Sequence, residues 1–203
     1  MEITEKKENR IMDNHNSDAM ELTMNLVRIN STDPGAYEGE IGEFIFQYLK
    51  GLDVPVIKKE VLPGRFNVMA RLEGEEQAPA LVYICHMDTV TTGEGWTVSP
   101  FGAEVIKGRI YGRGACDMKS GLACALSAFT SMALKARDGQ KPKRTLVFIG
   151  TVDEEDFMRG AEAAIADGWV TKDCWVLDTE PTNGRIEVAH KGRTWFEITV
   201  KGI

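Results

Sequence analysis

The chain is 203 residues long, 43% hydrophobic and 27% charged, with a formal net charge of −7 at pH 7. That length holds one sizeable core, or one domain and part of a second, and so ordinary a composition excludes a fibre or a disordered chain. The acidic balance sets long-range repulsion against nucleic acid and anionic membrane surfaces, so neither is expected as the main partner.

Residues 1–17 read as a polar leader. "MEITEKKENRIMDNHN" lacks the apolar stretch of a signal peptide, and nowhere do about eighteen apolar residues run together, so a cytoplasmic location is the default expectation. Cys85, Cys116, Cys124 and Cys174 lie far apart with no C-x-x-C pair, and are expected to be reduced structural thiols.

From Asp18 to about Asn30 the apolar spacing predicts a helix, with Ser17 as its cap. A second helix is predicted in "GEIGEFIFQYLKGL", where Ile41, Phe44, Ile45, Tyr48 and Leu49 share one face. Strand-like runs follow at Val54 to Val61, Phe66 to Leu72 and "ALVYIC", then a turn-rich stretch around Gly93, Gly95, Pro100 and Gly102. The alternation from Ala103 to Gly112 predicts a hairpin, Met118 to Arg137 a long helix, and "TLVFIG" another buried strand. "AEAAIADG" reads as helix and "CWVLD" as strand, with closing strands predicted at Arg185 to His190 and Thr194 to Lys201. Strands alternating with helices make this an α/β fold: a mixed, mostly parallel sheet with helices on both faces.

His86, Asp88, Asp117, Glu154, Glu155, Asp178 and Glu180 all fall just after these strand-like runs or in the loops that follow. Ligands of open α/β sheets bind outside the carboxyl ends of the strands, so these residues can meet at one edge. Taken singly, each has an everyday structural reading. His86 can be a satisfied strand-end histidine, Asp117 a helix N-cap, "TVDEED" a solvated acidic loop and "LDTEPTNG" a turn. The chemical readings are as specific. In "CHMD", Asp88 can fix the tautomer of a metal-ligating His86. The adjacent glutamates of "TVDEED" can divide metal binding (Glu155) from proton transfer (Glu154). "GRIYGRGACDMKSGLA" is not a nucleotide loop, because Asp117 stands where a dinucleotide fingerprint needs glycine, and so does Met118 for a P-loop.

In the order H-x-D, G-x-G-x-x-D-x-K-x-G, D-E-E, E-P-T, the chain resembles the zinc-dependent metallopeptidase and deacylase family of aminoacylase, acetylornithine deacetylase, succinyl-diaminopimelate desuccinylase, glutamate carboxypeptidase and peptidase T. "LVRINST", "WTVSPF" and "HKGRTWFEITVKG" add to the resemblance, which runs from about Met20 to Ile203. It implies a zinc-exopeptidase-like catalytic domain, with His86 and Glu180 on one zinc, Asp117 bridging two and Glu155 on the second. Asp178, two residues from Glu180, is the alternative first-zinc ligand. The resemblance also implies that Asp88 orients His86 and that Glu154 is the general base. Hydrolysis would act on the amide bond of a small peptide or an N-acyl amino acid by zinc-activated water, with cobalt or manganese as substitutes.

Relatives of this kind are roughly twice as long, with a lid or dimerisation domain and a later histidine ligand. The resemblance therefore makes residues 18–190 the N-terminal portion of the catalytic domain and 191–203 the start of a lid, through which a homodimer would form. Of the three histidines, His15 lies in the leader and His190 in the approach to the lid, which leaves the second zinc site incomplete. The expectation is a hydrolase needing residues beyond Ile203. The alternative is a catalytically inactive relic serving as a zinc-binding or interaction module, and a third reading is an acidic α/β binding domain without metal.

Overall fold

The computed structural model describes residues 18–189, 191–192, 194 and 196–202. His15 and His190 lie outside the described residues, as does Ser17. Asp18 takes the capping role expected of Ser17, its carboxylate accepting from Met20 N at 2.8 Å at the start of α1 (Ala19–Arg28). Helix α2 (Gly39–Lys50) buries Ile41, Ile45, Tyr48 and Leu49, the face its periodicity marks out.

Strands β1 (Val56–Leu62), β2 (Arg65–Leu72) and β3 (Leu81–His86) follow. A separate hairpin of β4 (Glu104–Ile106) and β5 (Arg109–Tyr111) comes next. The chain continues through a tight, irregular turn (Ala115–Lys119), α3 (Ser120–Arg137), β6 (Leu146–Thr151), α4 (Arg159–Ala166) and β7 (Trp175–Asp178). Helix α3 begins two residues later than its periodicity suggests, because Met118 sits at φ −122°, ψ 29°, outside helical geometry.

The main sheet has five strands in the order β1-β2-β6-β3-β7. It is mixed: β1–β2 and β2–β6 are antiparallel, while β3–β6 and β3–β7 are parallel. Strand alternation divides its side chains between two layers. Leu81, Tyr83, Cys85, Leu146 and Phe148 pack with α1, α2 and α3, while Val82, Ile84, Val147 and Ile149 meet Ala164 of α4 on the other face. Helices on both faces are thus present as expected.

The closing strands do not form. Described residues of 185–189 and 194–202 have no strand pairing, and Ile186, Val188, Phe196, Ile198 and Val200 are 83% to 95% exposed. The alternation is there, but a strand exists only against a hydrogen-bonding neighbour, and none of the described residues supplies one. No helix among the described residues is long and apolar enough to cross a membrane.

Candidate metal centre

The parallel pairing of β3 with β6 and β7 brings three strand ends to one edge, with His86 opposite Thr151 and Ile84 opposite Asp178. His86 is the last residue of β3, Glu154 and Glu155 follow β6, and Glu180 follows β7. Asp117 arrives from the turn before α3. Its backbone (φ −113°, ψ 103°) is not that of a helix, and α3 takes Lys119 as its N-cap residue, so the capping role open to Asp117 is not the one it has.

His86 is the hub. Its side chain is 1% exposed, and Nε2 lies 3.1 Å from Asp117 Oδ1, 3.5 Å from Glu180 Oε1 and 4.0 Å from Glu154 Oε2. On the other side of the ring, Nδ1 lies 2.9 Å from the Asp88 carbonyl oxygen, which can only accept, so Nδ1 carries a proton and Nε2 is turned towards the carboxylates. The expected contact between His86 and Asp88 is present, but through the main chain. The Asp88 carboxylate is 3.6 Å from Nδ1 and instead accepts the amides of Glu154 (3.1 Å) and Glu155 (2.9 Å). Asp88 therefore fixes both the ring and the loop carrying the two glutamates.

The four carboxylates of "TVDEED" separate once folded. Asp153 turns inward and binds the Arg159 guanidinium through both oxygens at 2.6 and 2.7 Å, while Glu154 and Glu155 stay beside His86. Two groups of potential ligand atoms result, each with all members within 4.8 Å of one another: His86, Asp117 and Glu155, and His86, Glu154 and Glu180. Asp178 ends β7, paired with the strand that carries His86, and belongs to neither group among the described residues.

The electrostatics are those of crowded anions around one ring. Burial disfavours charge on His86, but the carboxylates of Asp117 and Asp88 outweigh it and push the imidazole up to about 11. Burial also pushes the Glu180 carboxyl up to about 8, against the pull of His86 and with Asp178, Asp117 and Glu154 adding to the rise. Glu155 is raised in the same way, while the hydrogen bond from His86 holds Asp117 low. One imidazole nitrogen with several oxygen donors fits zinc, and cobalt and manganese accept the same set.

Sequence reading did not single out Asn67, Glu38 and Arg65, whose buried side chains support this edge from β2 and the start of α2. Asn67 Oδ1 accepts the amide of Val152 at 3.1 Å and its Nδ2 donates to Gly160 O at 2.8 Å. For Asn67 the sequence signal was a polar residue within the run Phe66–Ala70, which is otherwise apolar.

A strand-end cluster of one histidine and several carboxylates on a mixed α/β sheet is an arrangement able to hold a metal ion. The chain matches peptidase family M20/M25/M40 over residues 82–195, more than half its length, and belongs to that family. It is 33% identical over 205 aligned residues to the succinyl-diaminopimelate desuccinylase of Methylobacterium radiotolerans, an alignment covering 94% of this chain and 50% of the relative. The chain thus spans about half the length of that curated relative. Aminopeptidase PepT from Bacillus cereus superposes with a TM-score of 0.61 at 26% identity, covering 80% of this chain and 43% of PepT. Bacillus subtilis YXEP, a dinuclear metal binding peptidase of the M20 family, superposes with a TM-score of 0.55 at 16% identity, covering 79% of this chain and 41% of its own.

Proposed function

We propose that the chain carries the metal-holding edge of a zinc-dependent amide hydrolase acting on a dipeptide, a peptide C-terminus or an N-acyl amino acid. The observation that carries the proposal is His86 Nε2 facing Asp117 Oδ1, Glu180 Oε1 and Glu154 Oε2 at 3.1, 3.5 and 4.0 Å while Nδ1 is held from behind by Asp88. In this reading His86 and Glu180 would hold one zinc, Glu155 a second, and Asp117 would serve both. Bound zinc supplies a Lewis acid that acidifies water and polarises a scissile carbonyl. Glu154 takes the proton of the attacking water and passes it to the departing amine. Asp88 keeps the His86 ring in one tautomer and holds the amides of Glu154 and Glu155.

His86 is shared by both ligand groups, so two metals would compete for one nitrogen donor. We therefore propose that hydrolysis requires groups beyond those described in this chain, and that the chain by itself binds one metal more tightly than a second. The resemblance to bacterial desuccinylases favours a small N-acyl amino acid as substrate.

Equilibrium dialysis of the chain against zinc, with and without His86→Ala, tests the centre. About one tightly held zinc per chain, lost in the variant, is expected, and equal uptake by both proteins overturns the assignment. Turnover of N-acyl amino acids and dipeptides tests completeness. Zinc-dependent hydrolysis abolished by Glu154→Ala would make the chain a sufficient catalyst.

A further inference from the structure

Four consecutive amides at the end of β6 are bound by side-chain oxygens from elsewhere in the chain. Asn67 takes Val152, and Asp88 takes Glu154 and Glu155. The remaining amide, that of Asp153, donates to Glu38 Oε1 at 3.0 Å. Asp153 has φ 66°, a left-handed conformation that costs an aspartate about 1 kcal/mol and persists only where the surroundings impose it.

Glu38 is itself immobilised. It is 1% exposed, and Arg65 grips both its oxygens, Nε to Oε2 and Nη2 to Oε1, each at 2.6 Å. The same Nη2 reaches Asp33 Oδ2 at 2.6 Å and Asp153 Oδ1 at 3.4 Å. Asp33 N in turn donates to Thr89 O at 2.8 Å, and Thr89 N donates to Ser31 O at 3.0 Å, so the segment just after Asp88 is tied to the same stretch of chain. The connection between α1 and α2 thus grips the loops after β3 and β6 together. A buried carboxylate with a bidentate guanidinium has a fixed position, which suits it to define where a backbone lies.

We infer that Glu38, locked by Arg65, is a positioning residue: by holding the Asp153 amide it sets where Glu154 and Glu155 present their carboxylates to His86. The hold on the backbone stands by itself, and its consequence for metal rests on the centre proposed above.

The test uses Glu38→Ala and Glu38→Gln in the 203-residue chain, read first by amide exchange of the metal-free protein. Glu38→Ala is expected to speed exchange at Asp153 by about 100-fold, with smaller rises at Glu154 and Glu155 and no change in the β3 and β6 ladders. Glu38→Gln keeps an oxygen for the Asp153 amide and should restore most of the protection. Because Glu38→Ala strands the Arg65 charge in the interior, the double variant Glu38→Met/Arg65→Met, which removes both charges, is measured beside it. The second reading is cobalt(II) titration, where Glu38→Ala should weaken binding about 10-fold and alter the visible absorption, with Glu38→Gln close to wild type.

Wild-type exchange at Asp153 to Glu155 in folded Glu38→Ala or in the folded double variant overturns the inference. Uniform acceleration across the sheet overturns it too, since Glu38 would then serve only the fold. A wild-type chain that takes up no cobalt(II) refutes the metal centre instead, and the exchange result still decides the role of Glu38.

Discussion

The loops after β6 and β7 both deliver carboxylates to the same edge, yet they are built differently. All six residues of β6 are buried, and the amides that follow are fastened one by one to Asn67, Glu38 and Asp88. All four residues of β7 are exposed, and the chain after it runs on through Ile186 and Val188 in the open. Two strand-end acids of similar chemistry therefore differ in preorganisation. Glu154 and Glu155 have their backbone placed before any ligand arrives, while Glu180 follows a strand that, among the described residues, pairs on one side only.

The sharpest way to break this contrast is at the hub both loops share. His86→Ala removes the nitrogen donor common to both ligand groups, so tight zinc uptake should vanish, measured as metal per chain after dialysis. Retained uptake would mean that the carboxylates suffice and that the two loops need no common partner.

Glycines separate the two loops next. A Cβ at Gly160 would lie 2.3 Å from Val152 O and 2.8 Å from Asn67 Oδ1, inside the fastened loop. Neither can move without undoing the loop, so Gly160→Ala should cost about 3 kcal/mol, seen as a fall of about 8 °C in Tm. A Cβ at Gly121 would meet Thr179 O at 2.0 Å, a tighter clash on paper. Here the β7 side can yield, so Gly121→Ala should cost only about 1 kcal/mol and show instead as a several-fold loss of cobalt(II) affinity through a displaced Glu180. A stability loss as large as that of Gly160→Ala would show that the β7 loop is as rigid as its neighbour.

The same contrast explains what the sequence disclosed. Strands and helices with local periodicity, such as α2 and β6, were legible, because burial of one face is written at fixed spacing. So was the gathering of His86, Asp117, Glu154, Glu155 and Glu180, because parallel strands end on one side. Which carboxylate of "TVDEED" turns inward was not legible, since that is decided by Arg159 and Arg65 reaching Asp153 in three dimensions. Nor was the role of Glu38, which lies 115 residues from the amide it holds. The closing segments went wrong for the opposite reason: Phe196, Ile198 and Val200 alternate correctly, but alternation specifies a face and not a partner.

The smallest effect belongs to the exposed sheet edge itself. Among the described residues β7 pairs only with β3, and Leu177 is 47% exposed. An open edge with apolar side chains favours pairing with another chain, and a lysine there discourages it. Leu177→Lys should change unfolding free energy by no more than about 0.5 kcal/mol, because a half-exposed side chain has little burial to lose. Its visible consequence should be reduced self-association in sedimentation velocity at high protein concentration. A loss of several kcal/mol would place Leu177 in a packed layer, and β7 would then have to be regarded as firmly built as β6.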